Sequence, residues 1–273
     1  MYSVNAPTKN VSAKSEPLLA IRDLKKSFGG VRAIDGVNLD VFQGEIIGVI
    51  GPNGSGKTTT FNVVTGLIRA HSGSIQWDGG RELVGATPWA IFRLGIARTF
   101  QNIRLSLGLT VLENVMTGLY PEERTSWLDV FLDTRRLKRR QNDVRGRAEE
   151  AIRFVSPALY RASNRLVAEL SYADRRRVEI ARAIVSKPKM ILLDEPTAGM
   201  NSNETDELGD DVRKVNESGV TVVLVEHKMK FISDLADRVA VLNFGQKIAE
   251  GSYEEIRSNQ MVIEAYLGRR RAA

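Results

Sequence analysis

The run Gly51-Pro52-Asn53-Gly54-Ser55-Gly56-Lys57-Thr58 sets three glycines, a serine, a lysine and a threonine at the spacing of a phosphate-binding loop. Small residues let the backbone turn its N–H groups inward around phosphate oxygens, and a following helix adds the positive end of its dipole. Lys57 is expected to reach the β- and γ-phosphates and Thr58 a Mg²⁺ ion, with Thr59 opening the helix beside them. The run lies between the apolar stretch Glu45 to Ile50 and a helix-compatible stretch from Thr59 to Leu67. By chance the pattern arises in roughly one chain in a hundred of this size, and here the strand-loop-helix context is also met. The chain is expected to bind a nucleoside triphosphate.

A second chemical site is Met190-Ile191-Leu192-Leu193-Asp194-Glu195, four apolar residues delivering two adjacent carboxylates at a strand end. Successive strand residues point to opposite faces, so the two can take different tasks. Asp194 suits the Mg²⁺ shell, directly or through water. Glu195 suits a general base that polarises water for attack on a γ-phosphate. Alone, such a pair is as readily an acidic turn; beside a phosphate loop it points to hydrolysis.

These groups need a scaffold. Leu18 to Val41 alternates apolar and polar residues around Gly29-Gly30 and Gly36, as short antiparallel strands with turns would. Gly66 to Gly80 reads again as strand and turn. From about Asn102 to Leu170 the character changes to charged stretches with helical spacing, for example Ala148, Ile152 and Val155, which predicts a helical insertion. Strands return at Met190 to Leu193, Val220 to Val225 and Val239 to Leu242, with helix-like segments between them. That alternation predicts a parallel sheet covered by helices.

Composition narrows the class. With 273 residues, 42% hydrophobic and 26% charged, the chain can bury a real core and fits a soluble enzyme. The lack of cysteine excludes disulfides and thiolate metal sites, and two histidines, His71 and His227, exclude a histidine-rich metal centre. The apolar runs fall far short of the roughly 20 residues that cross a bilayer. Residues 1–17 are polar and lack the apolar core of a secretion signal, so a flexible tail in the cytosol is expected, followed by a single domain over 18–273. A net charge of +6 and a pI near 9.6 permit anionic partners. Much of the excess is local, in Arg135, Arg136, Lys138, Arg139, Arg140, Arg145 and Arg147, with Arg269 to Arg271 closing the chain. A solvated helix face is the first expectation for that stretch and contact with anionic lipid headgroups the second. Nucleic acid comes last, because no aromatics are interleaved with the charges.

The segment Leu170-Ser171-Tyr172-Ala173-Asp174-Arg175-Arg176-Arg177 opens a basic helix ahead of the Asp194 strand. The order of phosphate loop, Gln101 after Thr99-Phe100, Leu-Ser helix start, Asp194-Glu195 strand and His227 after a strand resembles the ATP-binding subunit of ABC transporters, over about Leu18 to Gly268. Ile96 to Arg104, Leu109 to Val115 and the ending Glu264 to Gly268 resemble the branched-chain amino acid importer branch, especially its LivG-type subunit. The resemblance implies an α/β fold: a RecA-like P-loop core with an antiparallel β subdomain and an inserted helical subdomain at about 102–170. It implies an ATPase using ATP and Mg²⁺, with Phe28 stacking on the adenine. Gln101 would touch Mg²⁺ or water and couple to a transmembrane partner, Ser171 would contact the γ-phosphate held by the opposite subunit, and His227 would act on the γ-phosphate. His71 matches nothing catalytic and is expected in a surface turn. The implied partners are multi-pass permease subunits, a second related ATPase subunit or a second copy, and an extracytoplasmic substrate-binding protein. They place the chain on the cytoplasmic face of the plasma membrane, powering uptake of branched-chain amino acids or a related amide or urea. The alternative is a soluble ABC ATPase acting on nucleic acid or ribosomes. Such proteins usually carry two cassettes or long coiled insertions, and this chain has neither.

Two stretches depart from the family pattern. The usual Leu-Ser-Gly-Gly-Gln continues here as Tyr172, Ala173 and Asp174. Ala173 adds a methyl where backbone is expected to approach phosphate, and Asp174 adds negative charge. Ser171-x-x-Asp174 also has capping-box spacing, with Asp in place of Glu. Weakened ATP-bound dimers are expected. Asn201 stands where many relatives have Asp, although the importer branch often shows Gly-Met-Asn as in Gly199-Met200-Asn201.

Overall fold

The computed structural model describes residues 16–122 and 134–267. Most of the expected tail and Arg269 to Arg271 lie outside the described residues. The strands in chain order are β1 (Leu19–Phe28), β2 (Val31–Val41), β3 (Ile46–Ile50), β4 (Ser72–Trp77), β5 (Arg81–Glu82), β6 (Ile96–Arg98), β7 (Met190–Asp194), β8 (Thr221–Val225), β9 (Arg238–Asn243) and β10 (Gln246–Gly251). They form a six-stranded sheet, β10-β9-β3-β8-β7-β6, and a four-stranded sheet, β2-β1-β4-β5. In the first, β3 pairs in parallel with β8 and β9, β7 with β8 and β6, and only β10 runs antiparallel.

The central strands are unbroken apolar runs because both faces are buried. Ile47, Val49, Leu192 and Val223 face a core shared with β1, β2 and β4 and with α1 (Lys57–Val64). Their neighbours Ile46, Ile50, Ile191, Leu193, Val222 and Leu224 face the helices on the other side. Each such side chain contributes about 1.5–3 kcal/mol by leaving water, and a one-residue slip would exchange the two sets, so burial fixes the register. Helix α1 starts at Lys57 and stops at Val64, earlier at both ends than the sequence suggested. Gly66, with φ +72, turns the chain before Leu67. Gly36 is a correction: it lies inside β2, with φ +84, where the register to β1 shifts between Ile21 and Lys25. A bulge uses the same left-handed conformation as a turn, and periodicity does not separate them.

The opposite face carries α3 (Val111–Met116), α4 (Thr134–Val155), α5 (Pro157–Arg161) and α6 (Tyr172–Ile184), after a short α2 (Pro88–Arg93) on the β4 side. Ala148, Ile152 and Val155 form one buried stripe of α4 against Val111, Val115 and Val178. Lys138, Arg139 and Arg145 point to solvent, and Arg145 pairs with Glu149 at 2.9 Å. Those three lie on a solvated face, whereas Arg140 and Arg147 are half-buried and Arg147 Nη2 donates to the Val185 carbonyl at 3.4 Å. The chain finishes through α7 (Ser202–Glu217), α8 (Met229–Leu235), α9 (Tyr253–Ser258) and α10 (Gln260–Leu267). Among the described residues no helix is long and apolar enough to cross a membrane.

Candidate active site

Strands β3, β7 and β8 run parallel and adjacent, so the loops at their carboxyl ends converge: 51–56, 195–201 and 226–228. That edge is where open α/β sheets bind ligands. The first loop is held by its own residues. Lys57 Nζ donates to the carbonyls of Gly51 at 2.7 Å and Pro52 at 3.0 Å, and lies 3.4 Å from Ser55 Oγ. Burial pushes the Lys57 ammonium down from its ordinary value, opposed by the nearby carboxylates of Glu195 and Asp194. Two glycines are demanded by packing. A Cβ on Gly51 would stand 2.0 Å from the Leu242 carbonyl oxygen, and one on Gly56 2.4 Å from that of Ala33. The end of β9 and β2 thus press on the loop from behind. Asn53, Gly54 and Thr58 stay exposed, with Thr59 half-buried. This is the open side a phosphate needs.

At the end of β7 the two carboxylates separate as the strand pleat requires. Asp194 is buried, and its Oδ2 accepts from Arg98 Nη2 at 2.8 Å. Its Oδ1 is buried without a hydrogen-bond partner. An acceptor left open in this way fits a cation or its water, and it is the structural feature that suits a Mg²⁺ site. Glu195 turns the other way. Gln101 Nε2 donates to Glu195 Oε2 at 2.7 Å, and His227 Nε2 lies 3.0 Å from Glu195 Oε1. Three residues read separately from the sequence thus meet around one carboxylate. Glu195 has φ +47, the left-handed region that costs a non-glycine residue about 1–2 kcal/mol.

Other expected residues lie apart from this cluster. Phe28 ends β1 and is 48% exposed, and Lys26 Nζ sits 5.2 Å from the centre of its ring. His71, just before β4, accepts the Ser27 N–H at Nδ1 over 3.1 Å and so seats the strand that carries Phe28. Ser171 caps α6: its hydroxyl accepts the Asp174 N–H at 3.1 Å and donates to Asp174 Oδ2 at 3.0 Å. The aspartate is one methylene shorter than glutamate and bonds the hydroxyl rather than the Ser171 N–H, so the box is half made. Ala173 is a correction. Its methyl is buried in the helical core, not turned to the open side of the helix start.

Three residues outside the motif reading belong to the site. Arg98 clamps Asp194 and also donates to Asn62 Oδ1 at 2.7 Å and Thr65 Oγ1 at 3.1 Å, with its guanidinium between the Phe61 and Phe100 rings. Fully buried Arg176 donates to the carbonyls of Phe100 at 2.8 Å and Gln101 at 3.0 Å and pairs with Glu179 at 2.6 Å. Helix α6 is thereby fastened to the backbone of Gln101. From α10, Tyr266, still 41% exposed, lies beside the phosphate loop, where partial burial shifts its hydroxyl upward against the pull of the Gly51 N–H. A charged residue at the end of an apolar strand was the available signal for Arg98; Arg176 gave none.

Comparison with known proteins agrees with this geometry. The ABC transporter family matches residues 34–198, and the branched-chain amino acid ATP-binding cassette transporter family matches residues 246–272. A high-affinity branched-chain amino acid transport ATP-binding protein, LivG, of Salmonella typhimurium is 40% identical over 93% of this chain and 99% of its own. A nucleotide-free ATP-binding cassette from an ABC transporter superposes with a TM-score of 0.81 at 31% identity, over 93% of this chain and all of that one. A dimeric cassette bound to ADP and Pi, in a post-hydrolysis state, gives 0.70 at 27% identity, over 86% of this chain and 98% of that one. With a family match over most of the chain and 40% identity to a curated relative, the chain belongs to the ABC transporter family of ATPases, on its branched-chain amino acid branch.

Proposed function

We propose that this chain hydrolyses ATP to power uptake of branched-chain amino acids, or of a related small polar solute, through separate permease subunits at the cytoplasmic face of the membrane. The observation that carries the hydrolytic part is the Glu195 carboxylate, bonded by Gln101 and beside His227 at the carboxyl end of β7. Glu195 orients the attacking water and takes up its proton. His227 holds a γ-phosphate oxygen and keeps Glu195 aligned. The backbone of residues 51–56 and the Lys57 ammonium hold the phosphates, with Thr58 and Thr59 at the helix start and Phe28 under the base. Thr58, Gln101 and Asp194 would hold Mg²⁺, which when bound neutralises charge developing on the phosphate oxygens. Ser171 serves the site of a facing subunit, as the dimeric arrangement of the related cassette suggests.

The importer reading rests on the relationship to LivG along nearly the whole chain. It extends to a second related ATPase subunit and an extracytoplasmic binding protein in the complex. A soluble ABC ATPase acting on nucleic acid or ribosomes has no observation in its favour. The test is capture of tagged Glu195→Gln chain from solubilised membranes with Mg-ATP, followed by mass spectrometry. Multi-pass permease subunits and a second ATPase should co-purify. Ribosomal proteins or nucleic acid without membrane protein would overturn the importer reading.

A further inference from the structure

Glu226 is a carboxylate buried to 2% exposure, directly before His227, in no motif and with no task in the hydrolysis described above. Each of its oxygens serves a different loop. Oε1 accepts the Thr197 N–H at 2.8 Å and the Thr197 hydroxyl at 2.5 Å, in the loop that follows Glu195. Oε2 accepts the N–H groups of His227 at 2.8 Å and Lys228 at 3.1 Å. The side chain of Lys228 then returns to the loop after Glu195 and the start of α7, where Nζ donates to the Met200 carbonyl at 2.8 Å and Thr205 Oγ1 at 2.9 Å. Four donors converge on one carboxylate, and a second tie lies one residue past His227. The arrangement is over-determined for a simple loop closure.

The geometry points to Glu226 as the positioning residue that sets the Glu195 to His227 contact, with Lys228 as its second fastening. The physical need is visible at Glu195. Its left-handed backbone persists only where the surroundings hold it. Thr197, two residues on, is the point at which Glu226 grips that turn. By gripping the two N–H groups of 227 and 228 with its other oxygen, the same carboxylate fixes the height of the imidazole over Glu195 Oε1. Both loops leave parallel neighbouring strands, β7 and β8, and Glu195 N–H bonds the Val225 carbonyl at 2.9 Å, so the two loops form a single stitched unit. Since Met200 immediately precedes Asn201, whatever displaces that loop reaches His227 through Lys228. This inference rests on the roles proposed for Glu195 and His227.

Glu226→Gln keeps the shape and replaces one acceptor by an NH₂ facing donors, so one loop is released. Two readouts are taken on the full chain. Steady-state hydrolysis should show kcat lower by about ten- to a hundred-fold, as loss of charge-assisted bonds in a buried site produces, with KM for ATP within about threefold. The imidazole resonances give the second. The chain has two histidines, so His227 ring signals should shift and broaden while those of His71 stay in place. Unmoved His227 signals would overturn the inference, and so would equal changes at both histidines, which mark general loosening. Should Glu226→Gln fail to fold, Thr197→Val removes only the hydroxyl bond. It should lower kcat several-fold and move the His227 signals alone, and unmoved signals again refute the inference. Glu195→Gln measured alongside separates the two failures: normal turnover there sinks the hydrolytic reading itself, whereas an inactive Glu195→Gln with unmoved His227 signals in Glu226→Gln sinks only the role of Glu226.

Discussion

Asp194 and Glu195 are neighbours in the chain, yet their surroundings assign them opposite work. Asp194 sits in the sheet with one oxygen bound to buried Arg98 and the other open, whereas Glu195 leaves the strand in a left-handed turn and meets Gln101 and His227. Breaking a buried ion pair by removing one partner typically costs about 3–5 kcal/mol, because the remaining charge stays desolvated. Arg98→Met should therefore lower the melting temperature by an amount equivalent to that range, and adding Asp194→Asn should recover part of it. Additive losses in the double variant would show that the pair is not the cause. Lys57 has a double task, holding the Gly51 and Pro52 carbonyls while facing the site. Lys57→Met should weaken ATP affinity at least about tenfold, since a charged partner and the loop geometry are lost together. Unchanged affinity in a fluorescent-nucleotide titration would contradict that role.

Among the elements, α6 joins the two ends of the mechanism. Ser171 caps its start, and one to two turns later Arg176, paired with Glu179, is fastened to the backbone that presents Gln101. Burial raises the Glu179 carboxyl, with Arg176 and Arg182 opposing. At the helix start, Asp174 takes the Ser171 hydroxyl as a donor and lies 3.5 Å from Arg177. Asp174→Gln should free that hydroxyl, remove a charge near a facing triphosphate and strengthen ATP-driven dimerisation of the Glu195→Gln chain in sedimentation. An unchanged dimer fraction would contradict this. The helices and parallel strands were legible because apolar spacing differs between them: Ala148, Ile152 and Val155 make one helical face, while β8 is an unbroken apolar run from Val222 to Val225. Gly36 and the inward methyl of Ala173 were not, because both depend on which neighbour approaches. The Arg176 clamp was equally hidden. An arginine on a basic helix reads as solvated until the carbonyls of Phe100 and Gln101 are seen to need donors.

For the molecule as a whole, the two-sided sheet explains why chemistry gathers at one edge. β3, β7 and β8 each contribute to both cores, one against the antiparallel sheet and the other against the helices, so the loops after all three strands are held to a common frame. The motif residues of that edge could be read directly, since phosphate, water and cation chemistry restrict residue type and spacing. Of the residues that steer them, Arg98 carried a signal in its place at the end of an apolar strand, while Arg176 and Glu226 could not be read, since any buried hydrogen-bonding partner of suitable length would satisfy the same need. The proposed chemistry of this edge is cleavage of ATP through Glu195. Its most direct test is hydrolysis and nucleotide binding by Glu195→Gln beside the unaltered chain. Turnover should fall by on the order of 10²-fold or more with ATP binding preserved; near-normal turnover in that variant would rule Glu195 out as the base.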